Sequence, residues 1–275
     1  MKKKVRLDEI KRISLDGLVL FSTFCREHNL TYFISYGTLL GAIRHKGFIP
    51  WDDDIDVLMP REDYEKMLSI KGSLNTENWE LLSYKTNEKY LYFWSKFCNK
   101  NTIIVPSRFN TGLIYGISID IFPLDTIYAD SFDDAIHRLV ELKNHLHNSI
   151  FTCKPFAIEK SDPISRIKAF FKRIYFKNIS RRKDIKKEYL AIESLLYSQE
   201  KKERKFYALV QDFSRNDLFE DSIIDGKYFD IEFENYLFKA PLNYDYMLKQ
   251  FYGDYKELPP EREQVTHHSY KCYYR

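Results

Sequence analysis

The chain has only four cysteines in 275 residues, Cys25, Cys98, Cys153 and Cys272, widely spaced and without a C-x-x-C pair. That spacing offers neither a zinc site nor a disulfide framework and fits reduced thiols in a cytoplasm. No stretch approaches the ~18 consecutive apolar residues that a membrane span needs. The start, Met1-Lys2-Lys3-Lys4-Val5-Arg6, lacks an apolar core behind its charges, so export is not expected. A charge excess is missing too: the formal net charge is +3, too even for a dedicated nucleic-acid protein, and no nucleic-acid partner is expected. Internal repeats and low-complexity linkers are absent. What remains is a globular chain whose 44% hydrophobic and 16% aromatic residues can bury a full core.

Against that even background one stretch stands out, Trp51-Asp52-Asp53-Asp54-Ile55-Asp56-Val57-Leu58-Met59, in which clustered carboxylates run into an apolar strand. Side chains two apart on a strand share a face, so Asp54 and Asp56 project the same way roughly 7 Å apart, with Asp52 behind them if the strand begins early. Carboxylates held so repel one another unless a cation sits between them. Hard oxygen ligands suit Mg²⁺ or Mn²⁺, which keep several waters and bridge to substrate phosphates. Asp52 reads as an orienting neighbour, and Asp53, facing away from Asp54, as solvated. The plainer alternative is an acidic surface turn.

The flanking residues favour the metal reading. Tyr32-Phe33-Ile34-Ser35-Tyr36 reads as a strand, Gly37-Thr38 as a turn, and Leu39 to Arg44 as a short helix, a setting that turns backbone N–H groups and a helix dipole toward an anion. Arg44 and Lys46 follow as phosphate ligands; a cation at a helix C-terminus serves the dipole equally well, above all for Lys46. Lys96, polar within Leu91-Tyr92-Phe93-Trp94-Ser95-Lys96-Phe97, is either a ligand of the phosphate donor or an edge-strand lysine that blocks aggregation. Asp120 is the one ionisable residue of the apolar strand Leu113 to Phe122 and must find a cation or shift its pKa; a cap ahead of Pro123 is the alternative. Asp125 is expected to cap the next element.

The segment Tyr36-Gly37-Thr38-Leu39-Leu40-Gly41-Ala42-Ile43-Arg44-His45-Lys46-Gly47-Phe48-Ile49-Pro50-Trp51-Asp52-Asp53-Asp54-Ile55-Asp56 closely resembles the signature of the LicD family, phosphotransferases with the nucleotidyltransferase fold. The resemblance resumes at Ile119-Asp120-Ile121-Phe122-Pro123-Leu124-Asp125. It returns at Lys239-Ala240-Pro241 and continues through Tyr252-Gly253-Asp254-Tyr255, Leu258-Pro259-Pro260 and His267-His268. It implies that Gly37 and Thr38 form the donor-phosphate turn, that Asp54 and Asp56 ligate the metal, and that Asp120 completes a carboxylate triad as ligand or as proton acceptor. His267 and His268 close the third block, as base, phosphate ligand or plain surface histidines.

The same resemblance implies a CDP-activated donor, CDP-choline first, and a sugar hydroxyl of a polysaccharide, teichoic acid or lipid-linked glycan as acceptor, with CMP released. A choline head group would want an aromatic cage, for which Trp51 and Trp94 are placed, although each also reads as core. Two other readings stay open: nucleotidyl transfer with release of pyrophosphate, and a non-catalytic adaptor that docks on membrane or polymer.

Along the chain, Leu7 to Asn29 reads as an amphipathic helix and Pro60 to Ile70 as a second. Strands are expected at 79–84, 90–98, 102–105 and 113–122, helices over 131–217 and a last helix over 243–251. Lys160 to Lys187 holds eleven Lys or Arg against two Asp, with Ile164, Ile167, Phe170, Phe171 and Ile174 at helical spacing. That stripe either covers the core with a basic back or lies on the inner face of an anionic membrane. The expected fold is α/β (α+β): a nucleotidyltransferase-like mixed sheet core over 1–126, a mostly helical insertion over 127–225, and a segment over 226–275 returning to the core. The expected location is cytoplasmic, with peripheral contact at the membrane.

Overall fold

The computed structural model of the chain describes residues 3–106, 113–153, 184–211, 217–220, 228–266 and 270–275. Helix α1 (Leu7–Glu27) opens where the Glu9 carboxylate accepts the Arg6 backbone N–H at 2.9 Å. Its apolar stripe, Ile10, Ile13, Leu18, Phe21 and Phe24, is buried, and the helix packs against the central sheet. Gly17 makes that approach possible: a Cβ there would stand 2.5 Å from the Trp79 indole.

The sheet runs in the order β1 (Phe33–Ile34), β2 (Asp56–Pro60), β6 (Ser118–Ala129), β4 (Ser95–Asn99), β3 (Trp79–Leu82). β2 and β6 are parallel and the other neighbours antiparallel. Helix α3 (Arg61–Ser69) packs on β2 and β6, and the short α4 (Lys71–Leu74) follows it. The second half of β6, from Asp125, pairs instead with β7 (Arg204–Ala208), which carries β8 (Leu218–Glu220). Helices α5 (Phe132–Cys153) and α6 (Ile185–Tyr197) pack together over this half, around Leu139, Leu146, Ile192 and Phe206.

Helix α2 (Tyr36–His45) lies against β2, the hairpin of β9 (Tyr228–Phe233) and β10 (Tyr236–Pro241), and helix α7 (Tyr244–Tyr252). Near the C-terminus β11 (Tyr270–Tyr274) pairs with β5 (Thr102–Pro106), and Val5 donates its N–H to Cys272 O at 2.9 Å. Cys25, Cys98 and Cys272 are buried free thiols.

The α+β class and the mixed sheet agree with expectation; several particulars do not. β5 leaves the main sheet because β11 supplies its partner. Pro60 is the residue before α3, not its first member. The stretch expected to be helical over 131–217 contains β7, and β6 crosses the boundary expected at 126. Asp125 caps nothing: it is 1% exposed inside β6 and receives Arg61 Nε and Nη2 at 2.7 and 3.1 Å. Burying that carboxylate is tolerable because a buried guanidinium binds both its oxygens. Nearly all of the basic stretch, 160–183, lies outside the described residues. Among the described residues no helix is long and apolar enough to cross a membrane.

Candidate functional site

The chain leaves β1 through Ser35 and enters α2 at Tyr36, whose φ of 46° is in the left-handed region. Gly37 and Thr38 therefore do not form a turn ahead of the helix; they lie in its first turn, because the Leu39 N–H already bonds Ser35 O at 3.1 Å. Two bonds fasten this helix start to β2: Asp56 N–H donates to Thr38 Oγ1 at 2.9 Å, and Ser35 N–H donates to Asp56 O at 3.0 Å. At Gly37 a Cβ would meet Asp52 Oδ2 at 2.4 Å, so glycine is what admits the Asp52 carboxylate to the helix N-terminus, where negative charge is favoured.

Exposure alternates along the acidic run: Asp52, Asp54 and Asp56 are half-buried, while Asp53 and Ile55 are buried. Asp53 neither turns its carboxylate away from its neighbours nor reaches solvent. It is 6% exposed, accepts Thr266 Oγ1 at 3.1 Å and is hydrogen-bonded by the Tyr270 hydroxyl. The expectation of a solvated Asp53 fails because these partners arrive from the far end of the chain. Carboxylate oxygens of Asp52, Asp53 and Asp54 all lie within 4.8 Å of one another.

Asp56 stands directly opposite Asp120 on the parallel β2–β6 pair, and Asp120 stands opposite Lys96 on β4. Three ionisable side chains thus share one row and one face of the sheet. Desolvation pushes the Asp56 carboxyl well above the ordinary carboxylate value, and Asp54, Asp120 and Asp52 push it further. Asp120 accepts Trp94 Nε1 at 3.0 Å and both its oxygens are engaged by Lys96 Nζ. The Lys96 ammonium also sits 5.4 Å from the ring centroid of Tyr92, 6.0 Å from Trp94 and 5.8 Å from Tyr115. Burial alone would lower its pKa, but Asp120 holds it above the ordinary lysine value.

Lys96 is accordingly not an edge lysine: β4 lies between β6 and β3, and its ammonium is paired with Asp120. Among the described residues the mutually close acidic group is Asp52–Asp53–Asp54; Asp54, Asp56 and Asp120 do not form one, since Asp120 is drawn to Lys96. Trp94 belongs to this arrangement, packed between Tyr92 and Phe122.

The other expected ligands are placed as follows. Arg44 Nη1 donates to Tyr255 O at 3.2 Å and Glu257 O at 3.1 Å, fastening the C-terminal segment to α2. Lys46 is the αL residue that ends α2, with its exposed side chain 3.7 Å from Glu232. His267 and His268 lie outside the described residues.

A cavity of about 670 Å³ opens between α2 and the segment 252–265, with Gly37, Arg44, Trp51, Asp52, Tyr252 and Tyr255 in its wall. Tyr252 connects cavity and carboxylates: burial, then Asp56, Asp52 and Asp54, push its hydroxyl far up. Sequence reasoning assigned no task to Tyr252, Thr266 or Tyr270. The one available signal was that Tyr252 falls in the third motif block.

The family model described as LicD/FKTN/FKRP, nucleotidyltransferase domain, matches residues 29–151. Lipopolysaccharide cholinephosphotransferase LicD of Haemophilus influenzae is 28% identical over 279 residues, 98% of this chain and 99% of that protein. The uncharacterized protein RP689 of Rickettsia prowazekii is 30% identical over 167 residues, 60% of this chain and 56% of its own length.

Proposed function

We propose that this chain is a phosphotransferase of the LicD kind, which transfers phosphocholine from CDP-choline to a sugar hydroxyl of a surface polysaccharide, teichoic acid or lipid-linked glycan, releasing CMP. The observation that carries this reading is similarity along 98% of the chain to a protein named for cholinephosphotransfer to lipopolysaccharide.

Mg²⁺ or Mn²⁺ fits the oxygens of Asp52, Asp53 and Asp54, which lie within 4.8 Å of one another, beside Asp56, a carboxyl that desolvation and like charge make unfavourable to ionise alone. When bound, such an ion supplies neutralisation of the charge on the transferring phosphoryl oxygens. Thr38 works through Asp56, whose backbone N–H its hydroxyl holds in register. Gly37 leaves room for Asp52 at the start of α2.

Asp120, drawn aside by Trp94 and Lys96, receives the proton of the attacking sugar hydroxyl. The hydroxyl oxygen bonds to the phosphorus that carries choline. The bond from that phosphorus to the oxygen bridging to CMP breaks, and its electron pair leaves on CMP. A cytoplasmic place beside the membrane suits a lipid-linked acceptor. The test is incubation of purified protein and Mg²⁺ with CDP-choline, CDP-ethanolamine and CDP-ribitol, with and without glycan. CMP from CDP-choline is expected; CMP from another CDP-alcohol alone, or pyrophosphate from CTP, overturns the reading.

A further inference from the structure

The cavity beside α2 combines two properties seldom joined in a phosphate site. Its wall carries the aromatic rings of Trp51, Tyr252 and Tyr255 and the acidic side chains of Asp52, Asp254, Glu257 and Glu263. The two arginines of the wall are turned to the protein: Arg44 to main-chain carbonyls, Arg262 to Glu263 at 3.4 Å. An acidic, ring-lined hollow repels a nucleotide's phosphates and attracts an organic cation, which gains both from carboxylate charge and from the negative faces of the rings. The other aromatic cluster beside the carboxylates, Tyr92, Trp94 and Tyr115, already surrounds an ammonium, that of Lys96.

Position agrees with chemistry. In phosphocholine the trimethylammonium is a short ethylene link from the phosphorus, so its site has to border the residues that handle the phosphoryl group. Asp52 meets that condition, lining the cavity while its oxygens cluster with those of Asp54. Resting on the phosphocholine-transfer reading above, we propose that this cavity receives the quaternary ammonium head group of the donor, against the faces of Trp51 and Tyr252.

Calorimetric titration of the full chain, with Mg²⁺ and CMP present, tests the assignment with choline chloride, its uncharged isostere 3,3-dimethylbutan-1-ol and a panel of methyl glycosides. Choline is expected to bind saturably and the isostere about tenfold more weakly. Trp51→Ala should weaken choline about tenfold and leave CMP affinity unchanged. The pair Glu257→Gln and Glu263→Gln, at exposed positions where folding is not at risk, should weaken choline about threefold and more so at low salt. The assignment is overturned if choline does not saturate, if the isostere binds as tightly, if a glycoside displaces choline, or if Trp51→Ala costs CMP affinity instead. Should CDP-choline yield CMP while choline affinity ignores these variants, the cavity assignment falls and the transfer reading stands. Should another CDP-alcohol alone yield CMP, the transfer reading falls.

Discussion

Asp56 is held at a cost that its neighbours raise more than they relieve: Asp54, Asp120 and Asp52 oppose its charge, and Lys96 offsets only part of that. Desolvation and three nearby carboxylates raise its pKa in the folded protein, so in metal-free protein its contribution is favourable at low pH and is lost as pH rises through the raised value. Asp56→Asn, followed by thermal melting in EDTA, should therefore melt a few degrees above wild type at pH 7, with no difference below about pH 4, where the carboxyl is protonated folded or unfolded. Gly37→Ala acts differently. The added methyl would meet Asp52 Oδ2 at 2.4 Å and displace that carboxylate, so kcat should fall about 10²-fold with an unchanged circular dichroism spectrum. Asp120→Asn separates proton transfer from cation binding: Mn²⁺ affinity by calorimetry should persist while turnover drops roughly 10²- to 10⁴-fold. Equal loss of Mn²⁺ affinity would make Asp120 a ligand. At this scale the sequence shows the alternation of exposure along 52–56, which is local, but not the faces of the carboxylates: β2 begins only at Asp56, and Asp53 joins Asp52 and Asp54. The partners of Asp53 and Asp120 are illegible there, since Thr266 and Lys96 reach them only through strand register and chain closure.

Among elements, the join between α3, β6 and α6 is made by buried charge. Arg61 binds Asp125 through two nitrogens and Glu193 at 3.2 Å, while Lys85 holds Glu65 at 2.8 Å and Glu193 at 2.9 Å. Removing one member strands the others, so Arg61→Ala should cost about 3–5 kcal/mol in urea unfolding, whereas Arg61→Met with Asp125→Leu should cost far less. A single-variant loss below about 1 kcal/mol would show the network to be idle. The strand was expected to end at 122 with Asp125 capping the next element; β6 runs on through Asp125 because Arg61, 64 residues upstream and not legible as its partner, binds that carboxylate inside the strand. Helix α1 was legible from its stripe. The β9–β10 hairpin was not, because its two-residue loop puts Glu234 and Asn235 at φ 52° and 63°, and glutamate is no usual occupant of such a turn.

Over the whole molecule, the motif blocks that are far apart in sequence meet at one place. Arg44 of α2 is bonded to the backbone at 255 and 257, Asp53 to Thr266, and the cavity lies between these two attachments. The C-terminal segment thus lies against the carboxylates of the first block, and similarity to LicD spans both, over 98% of the chain. The most direct measurement is CMP release from CDP-choline and glycan acceptor with Mg²⁺, wild type beside Asp56→Asn, each repeated in EDTA. CMP formed by wild type, lost in EDTA and reduced at least about 10³-fold by the substitution is the expected result. Undiminished CMP release by Asp56→Asn, or by wild type in EDTA, would contradict the account.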